Sequence, residues 1–248
     1  MTRVYNDWDE WYPIICDDFG FDKSSDEKSA GLLNDKIRKK GKFNIGNLHL
    51  PNQCIVFGAG PSIKKHIALI KNKVNIKDYC LIAADGATTA LLEEDIIPTI
   101  IVTDLDGSID SIVEANQKGS ILYVHAHGDN IEKINQYVPL LKNIIPTSQS
   151  EAHDLLENYG GFTDGDRAVH IATYGLNMNK IILAGMDFGE IITKYSRPEI
   201  NNMLVHADDI KKKKLAYAEK LIENLKKNNP QLIIINILNY KWGPLHFN

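Results

Sequence analysis

The chain has 248 residues, 44% of them hydrophobic and 24% charged, and carries a formal net charge of −4 at neutral pH. Those values fit one large α/β domain, or one domain with a modest appendage. No basic domain offers the electrostatic footprint that duplex binding needs, so nucleic acid is not an expected partner. A small anion held through a metal ion fits the charge. Cys16, Cys54 and Cys80 show no CxxC spacing, and the last two lie in apolar runs, which suits buried thiols better than ligands or a disulfide. The first residues are too polar and acidic for a signal peptide, and no apolar run approaches membrane-spanning length. A cytoplasmic location without a membrane partner is the expectation.

Residues 1–48 differ from the rest. Trp8, Trp11, Tyr12, Ile15 and Phe19 recur at helical spacing, a polar stretch follows at 22–29, and a second helical pattern runs from Leu32-Leu33 to Ile37. This segment reads as a helical appendage packed on the core or on a dimer partner, ahead of an α/β domain over 49–248. From Gln53 onward, strands expected at 54–57, 80–83, 99–102 and 121–124 alternate with helices at 61–70, 87–94, 109–117 and 131–137. Further strands are expected at 180–183 and 232–235, with a long helix at 208–227 between them. Short, β-branched, wholly apolar strands alternating with helices predict a doubly wound, mostly parallel sheet covered on both faces.

In such sheets ligands bind beyond the carboxyl ends of the strands. The first strand is followed by Gly58-Ala59-Gly60-Pro61-Ser62, a strand-to-helix turn whose N–H groups favour an anion, although it matches neither a Walker A loop nor a full dinucleotide fingerprint. Asp85-Gly86-Ala87 follows the second strand and Asp104-Leu105-Asp106-Gly107 the third. If the chain stays extended past Val102, Asp104 and Asp106 project to the same side, where two carboxylates repel unless a cation lies between them. Hard oxygen ligands favour Mg²⁺ with phosphate over zinc. The rival reading is a pair of turn-forming residues. His125-Ala126-His127-Gly128-Asp129-Asn130 follows the fourth strand. Of its two histidines, one is expected to contact phosphate while the other is structural.

Gly160-Gly161-Phe162-Thr163-Asp164-Gly165-Asp166-Arg167 opens another helix, with Thr163 or Asp164 as its N-cap. The loop also offers phosphate donors, Arg167 as a charge partner and Phe162 as a stacking ring. Gly185-Met186-Asp187-Phe188-Gly189 follows the strand at 180–183. The run from Lys211 to Lys214 reads as a solvated face, with Lys211 or Lys214 reaching a triphosphate as the sharper alternative.

In these motifs, spread over most of 54–190 and continued by 206–215, the chain resembles the archaeal 6-hydroxymethyl-7,8-dihydropterin pyrophosphokinase family, which is related to thiamin pyrophosphokinases. The resemblance implies ATP as co-substrate, Mg²⁺ dependence, a small-molecule pterin acceptor and AMP as product, in tetrahydropterin or folate-type biosynthesis. The thiamin relatives are dimers, so a homodimer is expected. Carried onto this chain, Asp85, Asp104, Asp106 and Asp129 form the catalytic constellation, with Asp104, Asp106 and Asp129 as metal ligands. Gly58, Gly60, Ser62, Gly86, His127, Thr163, Asp164, Arg167, Asp187 and Lys211 are the expected substrate-binding residues. Asp187 or Asp164, with Phe162, Phe188 or Tyr174, are candidates for the pterin. The rivals are thiamin pyrophosphokinase, an S-adenosylmethionine-dependent methyltransferase, which leaves Asp104, Asp106 and Asp129 unused, and a non-catalytic nucleotide-binding domain.

Overall fold

The computed structural model describes residues 7–150 and 154–239, so the ends of the expected segments, 1–6 and 240–248, lie outside the described residues. Two helices open the chain, α1 (Trp8–Phe19) and α2 (Lys23–Lys40). There follow β1 (Gln53–Phe57), α3 (Ile63–Lys73), β2 (Cys80–Ala84), α4 (Ala87–Leu92), β3 (Ile100–Thr103), α5 (Ile109–Gln117), β4 (Ile121–Ala126), α6 (Ile131–Tyr137) and β5 (Ile144–Ser148). The second half holds α7 (Asp164–His170), β6 (Lys180–Ala184), β7 (Ile191–Thr193), β8 (Leu204–His206), α8 (Asp209–Asn228) and β9 (Ile233–Asn236). Seven strands form one sheet in the order β5-β4-β3-β2-β1-β6-β9, all parallel, while β7 and β8 make a separate antiparallel pair.

Side chains alternate across a strand, and the core divides accordingly. Ile55 and Phe57 of β1, with Leu81, Ala83, Ile101 and Leu122, face a layer that includes Ala30, Leu33 and Ile37 of α2 as well as α3, α4 and α5. Cys54, Val56, Cys80, Ile82, Ile100 and Val102 face the opposite layer, built from α7, the π-helical turn Ile171–Gly175 that continues it, and α8. With both faces covered, β1 to β6 have no solvated side, which is why most of them read as continuous apolar runs, while β9 at the edge is partly exposed.

Three elements differ from expectation. The polar stretch 22–29 is the first half of α2, started by Asp22, whose carboxylate accepts the Ser24 N–H. β5 and the β7–β8 pair were not anticipated. β5 contains Pro146, which a sheet tolerates at its edge: β5 is the last strand, and the Pro146 carbonyl turns away from β4 to accept the Glu157 N–H at 3.0 Å, so the ladder with β4 needs no donor from this residue.

From β1 the chain winds one way through β2 to β5, and from β6 it winds the other way to β9. The reversal leaves a crevice beyond the carboxyl ends of β1 and β6.

Candidate active site

The loops after β2 and β3 meet through Thr103. Its hydroxyl donates to Asp85 Oδ2 at 2.5 Å and accepts the Leu105 N–H at 2.7 Å, so one side chain fixes both acidic loops. Asp106 N–H donates to Asp104 Oδ1 at 3.2 Å. Gly107 passes so close that an added Cβ would stand 1.7 Å from Asp85 Oδ1, which only glycine allows. Asp164, at the start of α7, joins from across the sheet. Oxygens of Asp85, Asp104, Asp106 and Asp164 all lie within 4.8 Å of one another.

Asp129, expected among the ligands, is not in this group. After β4 the chain leaves the extended conformation in a 3₁₀ turn, Gly128–Asn130, and Asp129 is carried outward and exposed. Its backbone is what reaches the site: the Asp129 N–H donates to His127 Nδ1 at 3.4 Å, leaving His127 Nε2 to carry the hydrogen that goes to Asp104 Oδ2 at 2.9 Å. His125, two residues earlier and with its ring 6.4 Å from that of His127, lies on the same side of the chain but deeper, buried against Thr147 Oγ1 at 3.0 Å, and burial pushes its pKa well down, so it stays neutral.

Two residues that the sequence reading did not single out hold this loop. Asn130 Nδ2 donates to the carbonyls of Asp104 and His125, while its Oδ1 accepts from His127 N–H and Ser29 Oγ. Asp26 of α2, also buried, accepts from Gly128 N–H at 2.7 Å, Tyr12 Oη at 2.7 Å and Gln149 Nε2 at 2.8 Å. A polar residue on the inner face of a helix was the available signal, hidden within a stretch too hydrophilic to register as amphipathic.

The charges are strongly interdependent. Burial first, then Asp104 and Asp106, push the Asp85 carboxyl up to about 8, and burial with Asp104 pushes Asp106 up to about 7. Asp164 is raised well above the usual range by burial and by Asp104, against the pull of Arg167. Burial opposes ionisation of Asp104 too, but the His127 hydrogen bond, aided by Asp106 and Arg167, holds it well below the ordinary carboxylate value. Asp104 thus ionises most readily of the four, and its neighbours hold their protons to higher pH. Asp85 Oδ1 is buried with no hydrogen-bond partner among the described residues. A divalent cation among these oxygens would replace the protons and give that atom a partner, so the donor set fits a hard metal ion.

The Gly58 to Ser62 turn has a different occupant from the one anticipated. Gly58 N–H donates to Ala184 O and Gly60 N–H to Gly185 O, and a Cβ on Gly60 would lie 2.1 Å from Asp187 Oδ2. Ser62 N–H and Oγ both donate to that Asp187 oxygen, at 3.3 and 2.9 Å. A carboxylate of the protein, rather than an open anion site, therefore meets the N-terminus of α3. Thr163 is the N-cap of α7. Its N–H and hydroxyl both go to Asp166 Oδ1, and Arg167 ties Asp164 at 3.0 Å and the Phe162 carbonyl at 2.9 Å. Gly86 lies under the 193–196 segment, where a Cβ would meet Tyr195 O at 1.8 Å. Lys211 is half-buried beside the cluster; burial and Lys214 lower its pKa while Asp106 and Asp164 raise it.

Two clefts open from the cluster. One, of about 180 Å³, runs between the turns after β1 and β6 and contains Gly58, Gly60, Asp85, Asp164, Asp187 and Lys211. The other, of about 360 Å³, lies toward the α1–α2 corner and contains Phe21, Asp26, His127, Asp129 and Lys133. Tyr174, a pterin candidate from sequence, lines neither; it packs in the core against α8.

A parallel-sheet α/β enzyme with a carboxylate cluster beyond the strand ends, fitted to a hard cation and flanked by Arg167, Lys211 and Lys214, is the class that fold and site define. The chain belongs to the MptE-like family, described as 6-hydroxymethylpterin diphosphokinase MptE-like, whose model matches residues 33–193. It is 50% identical over 222 residues to a 6-hydroxymethyl-7,8-dihydropterin pyrophosphokinase from Methanothermobacter thermautotrophicus, covering 89% of this chain and 94% of the relative. Proteins of the same name from Methanocaldococcus jannaschii and Pyrococcus furiosus are 49% and 40% identical, covering 89% and 92% of this chain and 95% and 97% of theirs. Among solved structures, a MAf glycosyltransferase from Magnetospirillum magneticum superposes with a TM-score of 0.57 at 15% identity, over 90% of this chain and 40% of the larger one; that likeness concerns the fold alone.

Proposed function

We propose that the chain transfers diphosphate from ATP to 6-hydroxymethyl-7,8-dihydropterin, releasing AMP and the pterin methyl diphosphate. The observation that carries this reading is the convergence of Asp85, Asp104, Asp106 and Asp164 where two clefts meet. The names of the archaeal relatives, at 40–50% identity over nearly their whole length, support the acceptor. The hydroxymethyl oxygen attacks the β-phosphorus, and the bond from that phosphorus to the oxygen of the α-phosphate breaks. Asp104, Asp106, Asp85 and Asp164 would hold Mg²⁺, which when bound neutralises charge on the polyphosphate. The protein's own part is orientation. Thr103 and His127 fix Asp85 and Asp104, Arg167 fixes Asp164, and Lys211 and Lys214 face the migrating charge from α8.

Thiamin pyrophosphokinase remains the rival acceptor choice, and assaying both acceptors separates them. Incubation with ATP, Mg²⁺ and each acceptor, followed by separation of the nucleotides, should give AMP with the pterin. ADP in place of AMP would remove diphosphate transfer from consideration. Asp104→Asn and Asp106→Asn should each lower kcat by roughly 10²-fold or more, as expected for loss of a charge that stabilises the transition state. Near-normal turnover in both would take them out of the mechanism.

A further inference from the structure

The two clefts share only Asp104, Asp106, Phe162, Arg167 and Lys214. In-line displacement at phosphorus needs the incoming and departing oxygens on opposite sides of the transferred group. A diphosphate seated at the shared residues therefore leaves one substrate in each cleft.

The walls differ in what they recognise. The smaller cleft has apolar sides, including Met186, Phe188, Ile191 and Ile192, and one carboxylate set apart from the metal cluster, Asp187. Asp187 Oδ2 is engaged by Ser62, whereas Oδ1 has no hydrogen-bond partner among the described residues. A 2-amino-4-oxo pteridine presents a ring N–H beside an amino group on one edge, two donors suited to a carboxylate. Adenine sets an amino donor beside a ring-nitrogen acceptor, which a carboxylate repels. In the larger cleft the buried carboxylate, Asp26, already has three donors, and Asp22 is taken up by Ser24 and Ser25. Its remaining acid, Asp129, is exposed. That cleft adds Lys133 to the shared Arg167 and Lys214, cations that suit the phosphates of a nucleotide.

We propose, resting on the diphosphate-transfer reading above, that the smaller cleft is the pterin subsite, with Asp187 reading the amino-amide edge. The larger cleft, walled in part by residues 20–26, is the nucleotide subsite. This gives the N-terminal helical segment a direct part in substrate binding.

The test is a steady-state comparison of wild type, Asp187→Asn, Ile191→Trp and Lys133→Ala, with direct pterin binding followed by its fluorescence in the absence of nucleotide. Asn at 187 can still accept from Ser62 while presenting an amide to the cleft, and Trp at 191 fills the cleft without touching that hydrogen bond. Both should raise the KM for pterin by about tenfold or more and weaken pterin binding equally, leaving the KM for ATP within about twofold. Lys133→Ala should do the converse. Unchanged pterin KM in both small-cleft variants, or a rise in ATP KM in its place, overturns the assignment. If Asp187→Asn does not fold by circular dichroism, Ile191→Trp decides alone. A wild type that yields no AMP with the pterin overturns the reaction itself and the assignment with it.

Discussion

Replacing Asp85 with Asn should make the metal-free protein more stable in alkali while destroying its activity. The Asp85 carboxyl is pushed up to about 8 by burial and by Asp104 and Asp106. An acid raised in the folded state keeps a proton that the unfolded chain has released, so folding loses stability as pH climbs from about 4 to about 8. At about 1.4 kcal/mol per tenfold change in proton affinity, this one side chain withholds about 6 kcal/mol from the folded state above pH 8. Asn is neutral at every pH, still accepts from Thr103, and suits the left-handed backbone at this position, where φ is +28°. The Asn N–H groups, standing where Asp85 Oδ1 has no hydrogen-bond partner among the described residues, give back ~2 kcal/mol of the gain. A net stabilisation of ~4 kcal/mol at pH 9 remains, or a rise of roughly 8–16 °C in Tm for a chain of this size, falling to nothing near pH 5. Thermal melts of both proteins in chelator from pH 5 to 9 read this directly. Equal Tm differences at the two ends of that range, or a lower Tm for the variant at pH 9, would refute the electrostatic account. Added Mg²⁺ should raise the Tm of wild type more than that of Asp85→Asn.

His127→Ala removes the donor that helps hold Asp104 ionised. Since a depressed carboxyl stabilises the fold above its unfolded pKa, the variant should be ~1–2 kcal/mol less stable than wild type at pH 6, a gap that narrows as acid takes the pH below the ordinary carboxylate range. Asp26→Ala leaves the Gly128 amide, the Tyr12 hydroxyl and the Gln149 amide without their acceptor; urea titration should show a loss of ~2–4 kcal/mol, and the Mg²⁺ concentration for half-maximal activity should increase. Gly60→Ala forces a Cβ against Asp187 and the Gly185 carbonyl, and should cost ~1–3 kcal/mol in the same titration. Cys16, Cys54 and Cys80 are buried, with burial pushing Cys80 up to about 12 and the other two upward, so none should react with Ellman's reagent until the protein unfolds.

Much of the sheet could be read in advance because six of its strands are apolar on both faces. β5 escaped notice because Pro146, Thr147 and Ser148 dilute the pattern, and β7 and β8 because three residues are too few to show a period. The acidic loops after β2 and β3 were legible for a related reason: a strand in a parallel sheet delivers whatever follows it to the same rim. That reasoning holds only while the chain stays extended. It carries Asp104 correctly to the rim and stops short of Asp129, where a turn intervenes, so that the neighbouring Asn130 is the residue turned inward. Asp164 was visible as a helix-start residue, but its approach to within 4.8 Å of acids 58 or more positions earlier depends on how α7 lies across the sheet, which no local pattern encodes. The inner face of α2 was missed because it is polar by necessity: Asp26 and Ser29 meet backbone amides and an Asn side chain, not apolar surface.

The grip of α2 on the loop after β4 also sets when the site can exist. Asp26 and Ser29 leave the ribosome early, yet their partners Gly128, Asn130 and Gln149 are 102, 101 and 123 residues away along the chain. Such distant pairings close late, because the intervening chain must be ordered before they reward it. A nascent polypeptide that has emerged only as far as β3 holds Asp85, Asp104 and Asp106 without the frame that aligns them. Alignment of the acidic cluster thus waits on the second half of the molecule, and a growing chain does not present the four carboxylates together in its half-made core.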